Sequence, residues 1–483
     1  MSYRIYPIST CEPQSAMYSV RINGERLPLY YARVSAFPIN RCWPGHQRPE
    51  EQTELSPFAL FETDGPVTVT VKNPKPFRRV EVKPHAKNVT PIVGEDGTVS
   101  FTLPGNGFYS VEFDGRHEAL LLFADPLSTF TEDDKHGENV LYFGQGYHEI
   151  GRLQLHSGQT LFIDEGAVVF GSVFAVDAHD IKILGRGILD GSRNHAKLTI
   201  DRGAKEDALL QQGFDVDNAE RVDTVLFEFC DNVTVDGITI RDSLQYNISP
   251  YGCDHLTIAN VKLIGNWRYN SDGIDLHNCP HAHVHDCFLR TFDDSFCIKG
   301  ISYTPLGNGI EHNGRLYDTF HDTVIEHCVV WNDWGKALEF GLQTCAKEMY
   351  NVIFRDIDVI RTTTGACTVT NGDCADIHDC LFEDIRVEYD DVCEDMIIQT
   401  EEDQYYRSSE NCTYTPNLMA VWVMYSKQYS GLGRLQDRTR GKIRNIAFKN
   451  ISVFSDRMPP SMFRGFDEEH RVENVTVDGL FIN

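Results

Sequence analysis

The sequence predicts an all-β chain: a parallel β-helix, in which short strands wind as a solenoid, preceded by a small β-sandwich. Two observations carry this expectation. Residues 1 to about 125 alternate apolar and polar side chains over short runs broken by Gly, Pro and Asn. From about 150 onward the chain repeats itself in steps shorter than 30 residues, built from strand-length apolar runs and not from helices.

The N-terminal runs are Tyr18-Ser-Val-Arg-Ile, Val67-Thr-Val-Thr-Val-Lys, Val80-Glu-Val-Lys, Val99-Ser-Phe-Thr-Leu and Tyr109-Ser-Val-Glu-Phe. Strict alternation marks half-buried antiparallel strands, so residues 1–125 are expected to form the sandwich and 126–483 the β-helix. In the repeat, two apolar positions two apart are followed, across an Asp/Asn/Gly-type step, by two more. It is read at Val233/Val235 with Ile238/Ile240, Leu256/Ile258 with Val261/Leu263, and Ala282/Val284 with Cys287/Leu289. Thr323/Ile325 with Cys328/Val330, Val352/Phe354 with Ile357/Val359, and Cys380/Phe382 with Ile385/Val387 continue it. Ile446/Phe448 with Ile451/Val453 and Val475/Val477 with Leu480/Ile482 close it. The steps from 233 to 256, 256 to 282, 323 to 352 and 352 to 380 are too short for propeller blades, which need roughly 40 residues or more. Each coil of such a solenoid buries its inward residues on its neighbours.

Composition narrows the function. With 71 acidic against 44 basic residues the formal charge is −27, a field that repels nucleic acid, anionic membranes and polyanions except where local cations override it. No apolar run approaches the ~20 residues of a membrane span, and the opening MSYRIYPISTCEPQ lacks the order of a secretory signal. The 14 cysteines form no CxxC motif, and several fall on inward strand positions. Buried reduced thiols and a cytoplasmic location are the expectation. The triplets at Asn232 and Asn474 are taken as strand sequence and not as glycan sites.

Two consecutive coils hold Asn270-Ser-Asp-Gly-Ile-Asp-Leu and Phe292-Asp-Asp-Ser-Phe-Cys-Ile-Lys-Gly. A coil returns the chain about 4.7–4.9 Å above itself, so Asp272 and Asp293, 21 residues apart (293 minus 272), are expected almost one over the other. In a regular strand Asp293 and Asp294 would point to opposite faces and one would be buried unpaired; a strand end or bulge avoids this and puts three carboxyls on one outer patch. Carboxyls this close drive their pKa values apart, the division of labour that glycoside hydrolysis needs between an acid and a base. Calcium ligands or turn aspartates remain alternatives on this evidence alone.

The stretch from about 140 to 390 resembles the polygalacturonases, glycoside hydrolase family 28, and the related dextranase family. The resemblance rests, in order, on Ile163-Asp-Glu-Gly-Ala-Val-Val-Phe-Gly-Ser, Gly185-Arg-Gly-Ile-Leu-Asp-Gly, Ile248-Ser-Pro-Tyr-Gly-Cys-Asp-His-Leu-Thr-Ile, Asn270-Ser-Asp-Gly-Ile-Asp and Asp293-Asp294. It implies a right-handed parallel β-helix, hydrolysis with inversion, and no metal or organic cofactor. The family's Asn-Thr-Asp matches Asn270-Ser271-Asp272, with Ser for Thr; its Asp-Asp matches Asp293-Asp294. Asp293 would be the general acid, with Asp272 and Asp294 positioning water.

Two departures bear on the substrate. Where the family has Gly-His-Gly this chain has Gly335-Lys336-Ala337, with Glu339 a further acid near the cleft. The family's Arg-Ile-Lys, which meets the uronate carboxylate, should fall near Gly365-Ala-Cys-Thr-Val-Thr, where Cys367 and Val369 stand. A neutral pair cannot neutralise a carboxylate, so compensation would have to come from Lys336, Lys299, Arg268 or Arg361. Substrate contacts are expected from Asn270, Arg268, Lys299, Trp334, Lys336 and Glu339, and Trp267, Tyr269 and Trp331 also flank the site. His281, His283 and His285 are read as exposed ladder histidines in preference to a metal site. Insertions such as 303–320 and 390–440 would wall off one end of the cleft.

The reading is therefore a glycosidase hydrolysing O-glycosyl bonds of a poly- or oligosaccharide, polygalacturonase-like but open to a non-uronate sugar, with a carbohydrate as its partner and a homo-oligomer possible. A polysaccharide lyase, which wants calcium and a basic residue beside a uronate, and a non-catalytic carbohydrate-binding β-helix are the alternatives.

Overall fold

The structure is a computed structural model that describes residues 2–36, 50–194, 222–302, 308–389, 416–424 and 440–483, together with the backbone of strands Asn40–Arg41, Met396–Glu401 and Gln404–Ser408. Its dominant element is a parallel β-helix whose sheet runs through 26 strands from Val140 to Ile482.

The strands stack in three ladders, one strand of each per coil. The first ladder passes through Thr160–Ile163, His179–Gly185, Asp231–Asp236, Asp254–Ala259, Ala282–His285 and Thr319–Glu326. The second passes through Ile188–Asp190, Thr239–Arg241, Lys262–Ile264, Phe288–Thr291 and Val329–Asn332. The third passes through Val225–Glu228, Ile248–Tyr251, Ile274–His277, Phe296–Gly300, Lys336–Thr344 and Gly365–Asn371.

The repeat read from the sequence is the turn between the first two ladders. Val233 registers on Leu256, Leu256 on Ala282, Thr323 on Val352 and Cys380 on Ile446, the same positions that head each copy. The step residue of all eight copies has a positive φ: Gly237, Asn260, Asp286, His327, Asp356, Asp384, Asn450 and Gly479. A left-handed residue kinks the chain in a single step, and Gly, Asn and Asp reach that conformation at the lowest cost, which is why the copies share polarity there without sharing identity. The inward pairs meet in one continuous apolar core inside the coils. In the last coil Val477, Leu480, Phe481 and Ile482 are exposed.

Residues 3–125 form two packed sheets. One orders Glu25–Leu27, Ser19–Ile22, Val67–Lys72, Thr98–Leu103 and Ile92–Val93; the other orders Tyr3–Ile5, Thr53–Thr63, Leu120–Asp125, Gly107–Phe113 and Val80–Lys83, with Tyr30–Ser35 beside Thr53–Thr63. The sequence led to an expectation of antiparallel neighbours, and one pair departs from it: Leu120–Asp125 runs parallel to Thr53–Thr63. Leu120–Asp125 is buried at every position because its sheet is covered on both faces. Its far side packs on the outer face of the second ladder, where Phe58, Phe108 and Phe123 meet Phe288, Val329 and Trp331. Buried ion pairs join the two layers: Lys262 Nζ lies 2.9 Å from Asp125 Oδ1, and Arg361 pairs with Glu112.

Nine of the described cysteines, among them Cys230, Cys253, Cys279 and Cys287, are buried and outside any disulfide, and no described helix is long and apolar enough to cross a membrane.

Candidate active site

The second ladder's outer face is covered by the sandwich, so the turns leading into the third ladder are where polar groups converge. Ile274 registers on Phe296, and Phe296 on Leu338. Two residues earlier on each path stand Asp272, Asp294 and Lys336, and the backbone follows the same register: Gly273 N donates to Asp294 O and Ser295 N to Lys336 O, both at 2.8 Å. Asp272 therefore lies beneath Asp294, at an offset of 22 residues (296 minus 274), and not beneath Asp293. Asp293 occupies the turn itself. Its carbonyl accepts from Thr291 Oγ1 at 2.8 Å and from Asn332 Nδ2 at 2.7 Å, while its Oδ1 accepts the Asp294 N–H at 3.0 Å. This tight turn leaves Asp293 and Asp294 both half-buried. The next coil presses on it closely: a Cβ on Gly335 would lie 2.5 Å from Asp294 N and 2.6 Å from Asp293 C, so only glycine fits.

Asp272 does not share that outer patch; it is 2% exposed. Its Oδ2 accepts from Lys299 Nζ at 3.1 Å, and Lys299 also bonds Asp275, which is fully buried. Oδ1 of Asp272 and Oδ1 of Asp275 have no hydrogen-bond donor. Burial, then Asp275 and Asp294, push the Asp272 carboxyl well above the usual carboxylate range, against the pull of Lys299. Asp275 is pushed up to about 6, chiefly by burial, with Lys299 restraining it. Burial pulls the Lys299 ammonium down, but Asp275 and its other neighbours outweigh that and hold it charged.

Above them Lys336 donates its backbone N–H to Asp294 Oδ1 at 2.9 Å and bonds Glu339 through its ammonium. Burial works against that ammonium, yet the Glu339 and Asp294 carboxylates raise its pKa. Glu339 is fully buried, and burial followed by Asp294 raises its pKa. Asp294, Cys297 and Glu339 bring donor atoms within 4.8 Å of one another. As a metal site the trio fits poorly: the Lys336 ammonium already sits on Glu339, and the Cys297 thiol, pushed up by burial, donates to Gly341 O at 2.9 Å.

The other residues singled out in the sequence separate into two groups. Asn270, half-buried with φ 56°, opens the turn into Asp272, and Ser271 Oγ closes it on Arg268 O at 2.6 Å. Arg268 bonds Asp242 and lies 4.2 Å over the Trp267 ring. Trp334, half-buried, stacks on Phe292 at 5.4 Å and meets Tyr269 edge-on at 5.4 Å, an aromatic wall beside the carboxyls. Trp331 and Arg361 are not at the site: Trp331 is fully buried under the sandwich, and Arg361 is committed to Glu112. Both lie on the second ladder, one turn too early. Cys367 and Val369 are core residues, so the cleft face of their strand belongs to Thr368 and Thr370, again neutral. Of the insertions, 303–307, 390–395, 409–415 and 425–439 lie outside the described residues. Asp275 and Asp242 carry no role in the sequence reading. The alternation Ile274-in, Asp275-out, Leu276-in is the signal that exposes Asp275 as a cleft-side group.

A family model described as Glycosyl hydrolases family 28 matches residues 172–312, the stretch that holds Asp272, Asp293 and Asp294. Over that stretch the chain is similar to that family. A probable polygalacturonase of Vitis vinifera is 24% identical over 215 residues, 39% of this chain and 44% of the Vitis protein. The probable polygalacturonase At3g15720 of Arabidopsis thaliana is 29% identical over 113 residues, 21% of this chain and 25% of that protein. The chain thus spans less than half the length of these curated relatives. Dex49A from Penicillium minioluteum, a solved structure, superposes with a TM-score of 0.58 at 14% identity over 100% of this chain and 90% of that one, and shares the fold.

Proposed function

We propose that this family 28 relative is an inverting glycosidase that hydrolyses O-glycosyl bonds of a neutral-sugar oligosaccharide or polysaccharide. The observation that carries the reading is the stack Asp272–Asp294–Lys336 with Asp293 on the adjoining turn, a cluster of carboxyls in unlike surroundings within two coils. Asp293, on the half-exposed turn, protonates the leaving oxygen. Asp294, which accepts the Lys336 backbone N–H, is the base toward the attacking water; Asp272, whose pKa burial raises, helps to position that water from the coil below. The sequence reading gave Asp272 and Asp294 equal parts, and the burial of Asp272 is the reason to divide them.

The neutral substrate follows from charge. Asp272, Asp275, Asp293, Asp294 and Glu339 face two cations, Lys299 and Lys336, and each of these is already bonded to a carboxylate. Arg268 is bonded to Asp242, and the next coil offers Thr368 and Thr370. A uronate entering here would meet no uncommitted cation among the described residues, and a carboxylate desolvated without one is disfavoured. The hydroxyls of a neutral sugar suit half-buried carboxylates and the Trp334 face.

The purified chain should release reducing sugar from one of a panel of neutral oligosaccharides (glucans, fructans, galactans, arabinans) and leave homogalacturonan fragments intact. Hydrolysis of galacturonan alone would restore the substrate named for the two plant relatives and remove the neutral-sugar reading. A product absorbing in the near ultraviolet would replace the hydrolase by a lyase.

A further inference from the structure

The outer face of the first ladder carries a second cluster, remote from the carboxyl turn. His255 and His281 hold the same place in consecutive coils, each at φ 55°, and their rings stack 4.9 Å apart, one coil spacing. Both rings turn the same nitrogen to the same oxygen: His281 Nδ1 lies 2.7 Å and His255 Nδ1 3.0 Å from Asp254 Oδ1. The other Asp254 oxygen is held by Arg315 Nη2 at 3.0 Å. On the following coil Asp322 Oδ2 lies 2.8 Å from His321 Nδ1 and 3.7 Å from His281 Nε2, beyond hydrogen-bond reach of the latter.

From this convergence of two imidazoles and one carboxylate oxygen we propose a binding site for a divalent transition-metal ion of the zinc class at Asp254, His255 and His281. Zinc takes imidazole nitrogen and carboxylate oxygen at about 2.0–2.2 Å, which sets tetrahedral ligand atoms about 3.3 Å apart. The two spacings to Asp254 would open by about 0.6 and 0.3 Å to reach that geometry, and His255 is two-thirds exposed. Two nitrogens and one oxygen favour zinc, nickel or copper over calcium or magnesium, which take oxygen sets. The expectation from sequence concerned His281, His283 and His285 along one strand. The structure gives them different partners: His283 goes to Glu326 and His285 to Asp286, while His281 joins its neighbour from the coil below. An ion here would clamp the coils that carry Asp254 and His281 and would take no part in hydrolysis.

The test is a calorimetric titration of Zn2+ into chelator-treated, untagged full-length protein. One equivalent should bind, raising the melting temperature; His281→Ala and His255→Ala should each weaken it at least tenfold. His283→Ala, on the same face but outside the cluster, should leave it unchanged. Absence of stoichiometric binding to the folded wild type, or binding that both His255→Ala and His281→Ala retain, would overturn the site. Circular dichroism of each variant separates loss of the site from loss of the fold.

Discussion

Replacing Lys299 by Met tests the electrostatics of the site most sharply. The ammonium is 5% exposed and bonds Asp272 and Asp275, themselves almost completely buried. Met fills similar volume without charge, leaving two buried carboxyls with no cation. Breaking a buried ion pair from one side costs about 3–5 kcal/mol. With an unfolding entropy of about 2.1 cal/mol/K per residue, a 483-residue chain has about 1 kcal/mol/K, so the melting temperature should fall by about 3–5 °C at pH 7. The pH dependence has a definite sign. Asp272 and Asp275 already sit above the ordinary carboxylate range in the folded chain, Asp275 at about 6. The fold therefore binds their protons more tightly than the unfolded chain does. The stability this contributes is fully present below about pH 4 and is lost as pH rises through the folded values. Without Lys299 those values rise further, so the deficit of the variant should be largest at neutral pH and shrink toward pH 4. Thermal scans of both proteins at pH 7 and pH 4.5, monitored by circular dichroism, measure it. A variant that melts with wild type at pH 7, or that is equally destabilised at both pH values, would refute the buried triad.

Two further outcomes follow from the same geometry. Lys336→Met removes the ammonium that pulls the Glu339 pKa down against burial, so that pKa rises further: the acidic limb of the pH–rate profile should move to higher pH and the maximal rate should fall, and a superimposable profile would remove Lys336 from the site. Exhaustive chelation should leave the hydrolytic rate unchanged, as no step assigned here uses a metal, and a calcium-restored loss would favour the lyase alternative.

Much of the fold was legible in the sequence because a β-helix repeats one local decision. The inward pairs and the left-handed step at residues such as Asn260, Asp286 and Asp384 recur in all eight copies of the repeat, so periodicity and turn chemistry reinforce each other. What escaped was register and facing at single-residue precision. Asp272 was matched to Asp293 when the ladder matches it to Asp294, a slip of one residue that changes which carboxyls are neighbours. The same one-residue ambiguity placed Cys367 and Val369 in the cleft when their alternation with Thr368 and Thr370 turns them into the core. Docking of the sandwich was invisible for another reason. Phe288 and Trp331 lie on outward positions of the second ladder, and only their partners Phe58 and Phe123, more than 160 residues away, explain why such residues face outward. Lys299 was legible as a cleft cation, but its commitment to Asp272 and Asp275 depends on two coils being stacked, which no local pattern records.

The central claim is that Asp293 donates the proton that cleaves the glycosidic bond. The measurement is the initial rate of reducing-sugar release by wild type, Asp293→Asn and Asp294→Asn on the best neutral substrate of the panel, with folding checked by circular dichroism. General acid catalysis is worth roughly 10²-fold or more, so Asp293→Asn should retain at most about a hundredth of the wild-type rate while melting with it, and Asp294→Asn should fall comparably. A folded Asp293→Asn protein that keeps more than about a tenth of the wild-type rate would contradict the account.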